Sequence, residues 1–285
     1  MNRRDWARKA VVSALRVRCA AGYKPWQPVP VIDLAEQLGV EVRFVDIPSL
    51  EGMYWKKSQP VVLIAAERPA GRQNFTCAHE LGHHVFQHGN RIDEAFGVSA
   101  ARTSEEYMAD VFASILLMPK TAVLHAFHKR GQRPGSATPM QIFAVAGWLG
   151  VGYTTLIHHL HLGLDVLPTG EYRALLKVQP KELKQDIIGS NLDGEVVLVD
   201  ESWVGARAVD VQVGDYVVCP LGTRVDGLAL STAQERDRTV QFRAAHPGIS
   251  RIERGRTGWA AFVRVSRRYF VGRSIFRHLE EVSDD

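Results

Sequence analysis

Histidine and glutamate side chains are concentrated in FTCAHELGHHVFQHG, at residues 75–89. His79 and His83 are four residues apart, so on a helix they lie on one face, one turn apart, where both imidazoles can reach one metal ion. Glu80 projects about 100° around the helix from His79 and can stand beside the metal as a general base. This spacing is typical of a zinc hydrolase, in which the metal activates a water molecule and the carboxylate takes its proton.

A match this short also arises by chance, so the surrounding residues matter. Ala78, Leu81 and Val85 share the opposite face of the predicted helix, which would bury it and leave the histidines toward a cleft. Gly82 would allow close approach of another element. The preceding run PVVLIAA, at residues 60–66, predicts a strand, and we expect its edge to pair with a substrate peptide.

A tetrahedral zinc site needs a third protein ligand. Residues 104–119, SEEYMADVFASILLMP, predict a helix with Glu106 and Asp110 on one face. We expect Glu106 to complete the ligand set and Asp110 to accept a hydrogen bond from a ligand histidine. The alternative is a solvated acidic turn, because carboxylates are favoured at helix N-termini. The apolar FASILLM on the same helix indicates burial and favours the metal site.

Other side chains could assist this chemistry. His84 and His88 form a second pair four residues apart, but Val85 follows His84 where a base would be needed, so we interpret this pair as partly exposed or as neighbours of the ligands. The residue that stabilises the transition state is not determined by the sequence. The candidates are Tyr54, Tyr107, His125 and His128.

Five segments together resemble the ImmA/IrrE family of metallo-endopeptidases, over roughly residues 5–165. They are VPVIDLAEQLGVEVRFVDI, GMYW, VVLIAA, FTCAHELGHHVFQH and EYMADVFASILLMP. The resemblance implies a thermolysin-like active site with HExxH followed by ExxxD. It assigns His79, His83 and Glu106 as ligands of one Zn²⁺ per chain, Glu80 as the base, and Asp110 as the orienting carboxylate. Met108 departs from the family pattern, which often has an acid there.

Family members cut helix-turn-helix repressors and so switch on stress-response or mobile-element genes. The resemblance therefore implies a limited, specific cut in such a repressor, and hence a role in transcription regulation. The alternative is a non-catalytic, metal-containing regulator that binds DNA or protein, because a complete ligand set does not by itself show turnover.

Residues 138–163 look like a helix-turn-helix, and the family has a comparable segment there. DNA binding depends on contacts between Lys or Arg and phosphates, but the sequence has neither between Arg133 and Arg173. We therefore expect these residues to pack under the peptidase or to dock a partner helix rather than to enter a DNA groove.

The chain has 285 residues, enough for one large domain or two ordinary ones, and its net charge of +4 indicates no particular class of partner. The sequence predicts no membrane helix, since no run approaches the roughly 20 apolar residues needed, and no signal peptide. Three scattered cysteines predict neither a disulfide framework nor a cysteine zinc site. We expect a cytoplasmic protein.

We predict an α+β chain with two domains. Residues 1–170 would form a mainly helical zinc-peptidase domain with a small β-sheet and the helix-turn-helix-like segment. Residues 171–285 would form a β-rich regulatory or sensor domain, a small sandwich or barrel. Residues 238–277 carry ten Arg against one acid, and WAAFVRVSRRYFV alternates as a strand does. We expect Arg264, Arg267 and Arg268 to form a face for nucleic acid or another anionic ligand; the alternative is a solvated sheet face.

Overall fold

The computed structural model describes residues 2–94, 103–189, 193–255 and 258–280. The chain divides into two compact units. The first contains Met1–His125, Leu149–Gly152 and Val271–Ser274, and the second contains the remaining residues. This division does not coincide with the predicted domain boundary between residues 170 and 171, which stays a prediction.

The helices and strands of the described residues confirm the α+β class. The helices are α1 Arg3–Ala20, α2 Val31–Gln37, α3 Ala70–Phe86, α4 Ser104–Leu117, α5 Lys120–His128, α6 Pro139–Leu149, α7 Tyr153–His158, α8 Thr169–Leu175 and α9 Pro180–Ile188. The strands are β1 Glu41–Val45, β2 Leu50–Trp55, β3 Val61–Ala65, β4 Arg91–Glu94, β5 Val196–Leu198, β6 Val209–Gln212, β7 Tyr216–Pro220, β8 Thr223–Asp226, β9 Leu230–Arg236, β10 Thr239–Ala244, β11 Gly248–Arg254, β12 Trp259–Ser266 and β13 Gly272–Arg273.

The first unit contains a five-stranded sheet in the order β13-β1-β3-β2-β4. β3 pairs in parallel with β1 on one side and antiparallel with β2 on the other. The expectation that residues 60–66 offer an open edge to a substrate is therefore wrong, because both edges of β3 are already hydrogen-bonded. Among the described residues, β4 and β13 form the two edges of this sheet.

Helix α4 is held between α1 and α3. Its N-terminus is capped by Thr103, whose hydroxyl accepts a hydrogen bond from the Glu106 backbone N–H at 3.2 Å. Near its C-terminus, the buried guanidinium of Arg18 donates a hydrogen bond of 2.6 Å to the Leu116 carbonyl. Arg18 also donates to the Gln27 carbonyl, so one side chain ties α1, the loop that follows it and the end of α4 together.

The helix-turn-helix-like segment consists of α6, a turn, and α7, which continues as a π-helical turn over residues 159–163; the two arms meet at a bend of 100°. The turn packs against the start of α3. The side-chain amide of Asn74 donates a hydrogen bond of 2.9 Å to the Gly150 carbonyl. A methyl group at Gly71 would lie 2.6 Å from the Gly152 nitrogen, so glycine permits this contact. The turn therefore packs on α3. Packing of the rest of this segment under the peptidase, or docking of a partner helix by it, stays a prediction.

Residues Ser104–His128 form a continuous stretch that is long and apolar enough to cross a bilayer, contrary to the sequence expectation. More than half of its most apolar part is buried inside the protein. Because a core helix meets the same criteria, and because α4 packs on α1 and α3, we interpret this stretch as part of the core of a globular domain.

The second unit is β-rich, as predicted. It contains two four-stranded sheets, ordered β5-β7-β10-β9 and β6-β12-β11-β8. A small core cluster formed by Val196, Tyr216 and Val218 packs against Ile187 and Ile188 of α9. Helices α8 and α9 were not predicted from the sequence. Both are short, and each has few apolar residues among its charged and polar ones.

Candidate metal centre

The site is built where α3 crosses α4. Gly82 lies at the crossing: a methyl group at this position would be 3.2 Å from both the Ala109 Cα and the Phe112 ring. This close approach sets the neighbouring turns of the two helices side by side. His79 and His83 lie on the same side of α3, and Glu106 and Asp110 face them from the first turns of α4.

Three predicted ligands converge. The distance from His79 Nε2 to His83 Nε2 is 3.0 Å, that from His79 Nε2 to Glu106 Oε2 is 3.2 Å, and that from His83 Nε2 to Glu106 Oε1 is 3.6 Å. The two imidazoles are buried, and the Glu106 side chain is 29% exposed. Among the described residues this is the one cluster of three His, Cys, Asp or Glu side chains with the spacing of a metal site.

The donor atoms fit a zinc ion. With bonds of about 2.0–2.1 Å, ligand atoms at neighbouring corners of a tetrahedron lie about 3.3 Å apart. The three observed distances of 3.0, 3.2 and 3.6 Å bracket this value. Two imidazoles and one carboxylate are also the ligand set of many catalytic zinc sites, in which a fourth position serves water or substrate.

The second nitrogen of each ligand histidine contacts another polar side chain. His79 Nδ1 lies 3.1 Å from Asp110 Oδ1, as predicted for the orienting carboxylate. His83 Nδ1 lies 3.1 Å from His88 Nδ1. A ligand histidine that binds metal through Nε2 carries its proton on Nδ1, so both contacts suit that tautomer.

The same contacts shift the pKa values of these groups in the metal-free protein. Burial lowers the pKa of His79, but its hydrogen bonds with Asp110 and Glu106 outweigh burial and raise that pKa to about 10. Hydrogen bonds with His79 and His83 lower the pKa of Glu106, against the effect of burial. Glu106 is therefore ionised at neutral pH, as a metal ligand must be.

The Glu80 side chain contacts strand β2 of the sheet. Its carboxylate is fully buried and packs against β2, where a methyl group at Gly52 would lie 2.6 Å from Glu80 Oε1. Thr76 lies one helical turn before Glu80 and also contacts Gly52. Glu80 is next in sequence to His79, and its charge helps to raise the pKa of His79. The role of Glu80 as the general base stays a prediction.

His84 lies one turn beyond Glu80 on α3, and Tyr54 of β2 contacts it. The Tyr54 hydroxyl contacts His84 Nδ1 at 2.9 Å, and the two rings meet edge to face. Burial raises the pKa of Tyr54, and burial together with the charge of Lys56 lowers the pKa of His84. Both groups are therefore neutral at pH 7. The role of Tyr54 in transition-state stabilisation stays a prediction.

The other predicted residues lie elsewhere. His125 packs against Trp26, with ring centroids 6.1 Å apart, and His128 is exposed at the end of α5, in the second unit. Tyr107, which follows Glu106, has the Arg3 guanidinium 4.6 Å from its ring centroid. A role of Tyr107, His125 or His128 in transition-state stabilisation stays a prediction.

The three arginines of the predicted anionic-ligand face have different surroundings. Arg264 forms a two-point ion pair with Asp210 on the adjacent strand, at 2.6 and 2.7 Å, so its charge is already matched. Arg268 donates to the Asp193 carbonyl at 2.7 Å, and Arg267 is exposed. The three arginines therefore do not form a uniform positive face, and anion binding there stays a prediction.

One of the comparisons with known proteins, the family match, includes the residues of this site. Residues 35–160 match the family described as Peptidase_M78, IrrE N-terminal-like domain. No curated protein matches the chain. One solved structure, the cysteine protease inhibitor EhICP2 from Entamoeba histolytica, aligns at 12% identity over 26% of this chain and 99% of that chain. Its TM-score of 0.20 is too low to assign a shared fold.

The matched region includes α3 and α4, and with them all three convergent ligands and Glu80. The family match makes residues 35–160 a peptidase-type domain of the IrrE N-terminal-like family, which confirms the resemblance to the ImmA/IrrE family seen in its motifs.

Proposed function

We propose that this protein is a zinc-dependent endopeptidase that makes a limited, specific cut in a regulatory protein. The observation that carries the proposal is the convergence of His79, His83 and Glu106 beside a buried Glu80. Three protein ligands with a neighbouring carboxylate are what zinc-dependent hydrolysis of a peptide bond uses, whereas a purely structural zinc site is closed by four protein ligands.

Each side chain has a role in this chemistry. His79 and His83 would hold zinc through Nε2, and Glu106 through its carboxylate. When bound, zinc supplies Lewis-acid activation of the attacking water and the scissile carbonyl. The Glu80 carboxylate accepts the proton of the attacking water and passes it to the leaving amine. Asp110 holds the His79 ring in the orientation and tautomer that binding needs.

The substrate we propose is a helix-turn-helix transcriptional repressor, with the cut acting in a stress-response or mobile-element switch in the cytoplasm. The support is the family of residues 35–160 and the buried character of the most apolar helix. The second unit would then regulate the peptidase or recruit its substrate.

Two variants test the proposal. Metal analysis should find one zinc per chain, which is lost in His79→Ala. Glu80→Gln should keep zinc and lower cleavage of a repressor encoded by a neighbouring gene by at least about 10²–10⁴-fold, the usual contribution of a general base. If Glu80→Gln binds zinc and keeps full activity in cells, the enzyme proposal is wrong, and the non-catalytic, metal-containing regulator of DNA or protein takes its place.

A further inference from the structure

We propose that His88 is a positioning residue for the metal ligand His83: its Nδ1 accepts the hydrogen bond from His83 Nδ1–H and so fixes the tautomer and the ring orientation of that ligand. The inference rests on the proposed metal centre. It adds a residue that lies outside the HExxH and ExxxD motifs.

The end of helix α3 delivers His88 to this position. Gln87 ends the helix in the left-handed conformation, with φ 59° and ψ 40°. The Gln87 N–H donates to the His84 carbonyl, and the His88 N–H donates to the His83 carbonyl, each at 3.1 Å. This pair of hydrogen bonds is the Schellman motif, which places the second residue beyond the helix against the residue five positions before it. Here those two residues are His88 and His83.

Gln87 is an unusual residue at this position, which glycine usually occupies. Glutamine adopts this conformation at an energetic cost, so the surrounding contacts must maintain it. A longer or frayed helix would carry His88 around the helix axis and away from His83. The backbone conformation at one residue therefore determines whether the two imidazoles meet.

The contact between the two rings has the geometry of a hydrogen bond rather than of stacking. The Nδ1 atoms are 3.1 Å apart, and the rings meet edge to face with centroids 5.1 Å apart. Only one of the two nitrogens can carry the shared proton. If His83 binds zinc through Nε2, its Nδ1 carries a hydrogen and donates, so His88 must accept at Nδ1 and hold its own proton on Nε2.

An apolar layer supports His88 from the other side. The Phe86 ring lies 5.4 Å from the His88 ring and 5.7 Å from the Phe112 ring of α4. The Lys9 ammonium of α1 lies 5.6 Å from the Phe86 ring centroid. Phe86 thus contacts His88, α4 and α1 together.

The two ligand histidines are therefore oriented by different chemistry. Asp110, a carboxylate, contacts His79, whereas a second imidazole contacts His83. A negatively charged acceptor increases the basicity of a ligand histidine more than a neutral one does. We therefore expect His79 to be the stronger ligand, and His83 to depend on His88 mainly for orientation.

Two substitutions separate hydrogen bonding from packing. The side-chain oxygen of asparagine can occupy the place of Nδ1, so His88→Asn keeps an acceptor but loses the ring. His88→Phe keeps the ring against Phe86 but loses the acceptor. Zinc affinity is measured on the purified full chain by competition with a chromogenic chelator, and the visible spectrum of the Co²⁺-substituted chain reports the ligand geometry.

We expect His88→Phe to weaken zinc binding about 10- to 100-fold, the usual effect of removing the partner of a ligand histidine, and to alter the Co²⁺ spectrum. His88→Asn should stay close to the wild type in both. The opposite order, with Phe near wild type and Asn impaired, would show a packing role and overturn the proposal, as would unchanged affinity in both variants. Circular dichroism confirms that each variant is folded.

His246→Asn is the matched control, since it removes an exposed histidine from the second unit and should leave the affinity unchanged. Failure of the metal centre itself has a different signature. If the wild-type chain binds no zinc, the proposed function fails; if the wild type binds zinc and His88→Phe binds it equally well, only the role of His88 fails.

Discussion

Glu80 on helix α3 and Gly52 on strand β2 pack so closely that no side chain fits between them. A methyl group at residue 52 would stand 2.6 Å from Glu80 Oε1, and closer still to the Thr76 methyl group. The backbone of β2 at Gly52 is therefore in direct contact with the proposed general base. Because side chains of a packed core cannot shift far, the β2 backbone restricts where the Glu80 carboxylate can lie.

Gly52→Ala tests whether β2 positions Glu80. The added methyl group should displace Glu80, so we expect the chain to keep its zinc while kcat/KM for peptide cleavage falls about 100-fold, a typical effect of misplacing a catalytic group by about 1 Å. The free energy of unfolding should fall by about 1–3 kcal/mol because the site is overpacked. Zinc content, cleavage kinetics and urea unfolding are the measurements.

Gly147→Ala is the control for that experiment. A methyl group at residue 147 would meet nothing within 4 Å, and the residue lies inside helix α6. It should leave cleavage unchanged and stabilise the protein by about 0.5–1 kcal/mol, because alanine favours a helix interior more than glycine does. Equal activity of Gly52→Ala and Gly147→Ala would show that β2 does not position Glu80.

Gly82 should control the metal through the spacing of the two helices. Gly82→Val would push its branched side chain into Ala109 and Phe112 and move α4 away from α3. We expect weaker zinc binding, because Glu106 moves with α4, together with a loss of about 1–3 kcal/mol in stability. Gly82→Ala needs a shift of only a few tenths of an ångström and should have a smaller effect on both. A Val variant with wild-type affinity would contradict this.

Arg18 should contribute more to stability than any surface arginine of α1. Arg18→Ala leaves the carbonyls of Leu116 and Gln27 without their charged donor inside the protein, and should lower the free energy of unfolding by about 3 kcal/mol. Arg16→Ala, on the exposed side of the same helix, should change it by less than about 0.5 kcal/mol. Chemical unfolding of both variants is the test, and similar values would exclude a special role for Arg18.

His278 should make the protein sensitive to acid. Burial, together with the positive charge of Arg277, lowers the pKa of His278 to about 4, from about 6.5 in an unfolded chain. As the pH falls from 6.5 to 4, the unfolded chain takes up a proton that the folded chain excludes, so stability is lost across that window, by up to about 3 kcal/mol.

The His278→Gln variant isolates this contribution. Urea unfolding at several pH values between 7 and 4 should show a shallower loss of stability for the variant than for the wild type. Parallel curves would mean that His278 is protonated in the folded protein as easily as in the unfolded one.

His79 and His83 were predictable as a pair because helical geometry places residues four apart on one face. Glu106 was predictable because α4 is apolar enough to be buried and its ExxxD spacing resembles that of a known family. The contact between His88 and His83 was less predictable. It depends on a left-handed Gln87, and glutamine, unlike glycine, does not indicate such a residue. Nor does a helical wheel predict it, since His88 lies beyond the end of the helix.

Pairings between distant segments were also missed. The apolar run at residues 60–66 is typical of any buried strand, and its sequence does not reveal that β1 and β2 take both of its edges. Helices α8 and α9 were missed because each has few apolar positions, which gives a weak helical period. The pairing of β13 with β1 has no local sequence signal at all.

The pairing of β13 with β1 affects when the first sheet can be completed during synthesis. Gly272 and Arg273 lie beside Phe44 and Arg43, and the Ser274 hydroxyl donates to Glu36 at 2.5 Å. The β1 edge of the first sheet therefore stays open on the ribosome until residues 272–274 have been synthesised. A fragment of residues 1–170 would expose that edge permanently, and we expect it to aggregate where the chain of residues 1–285 does not.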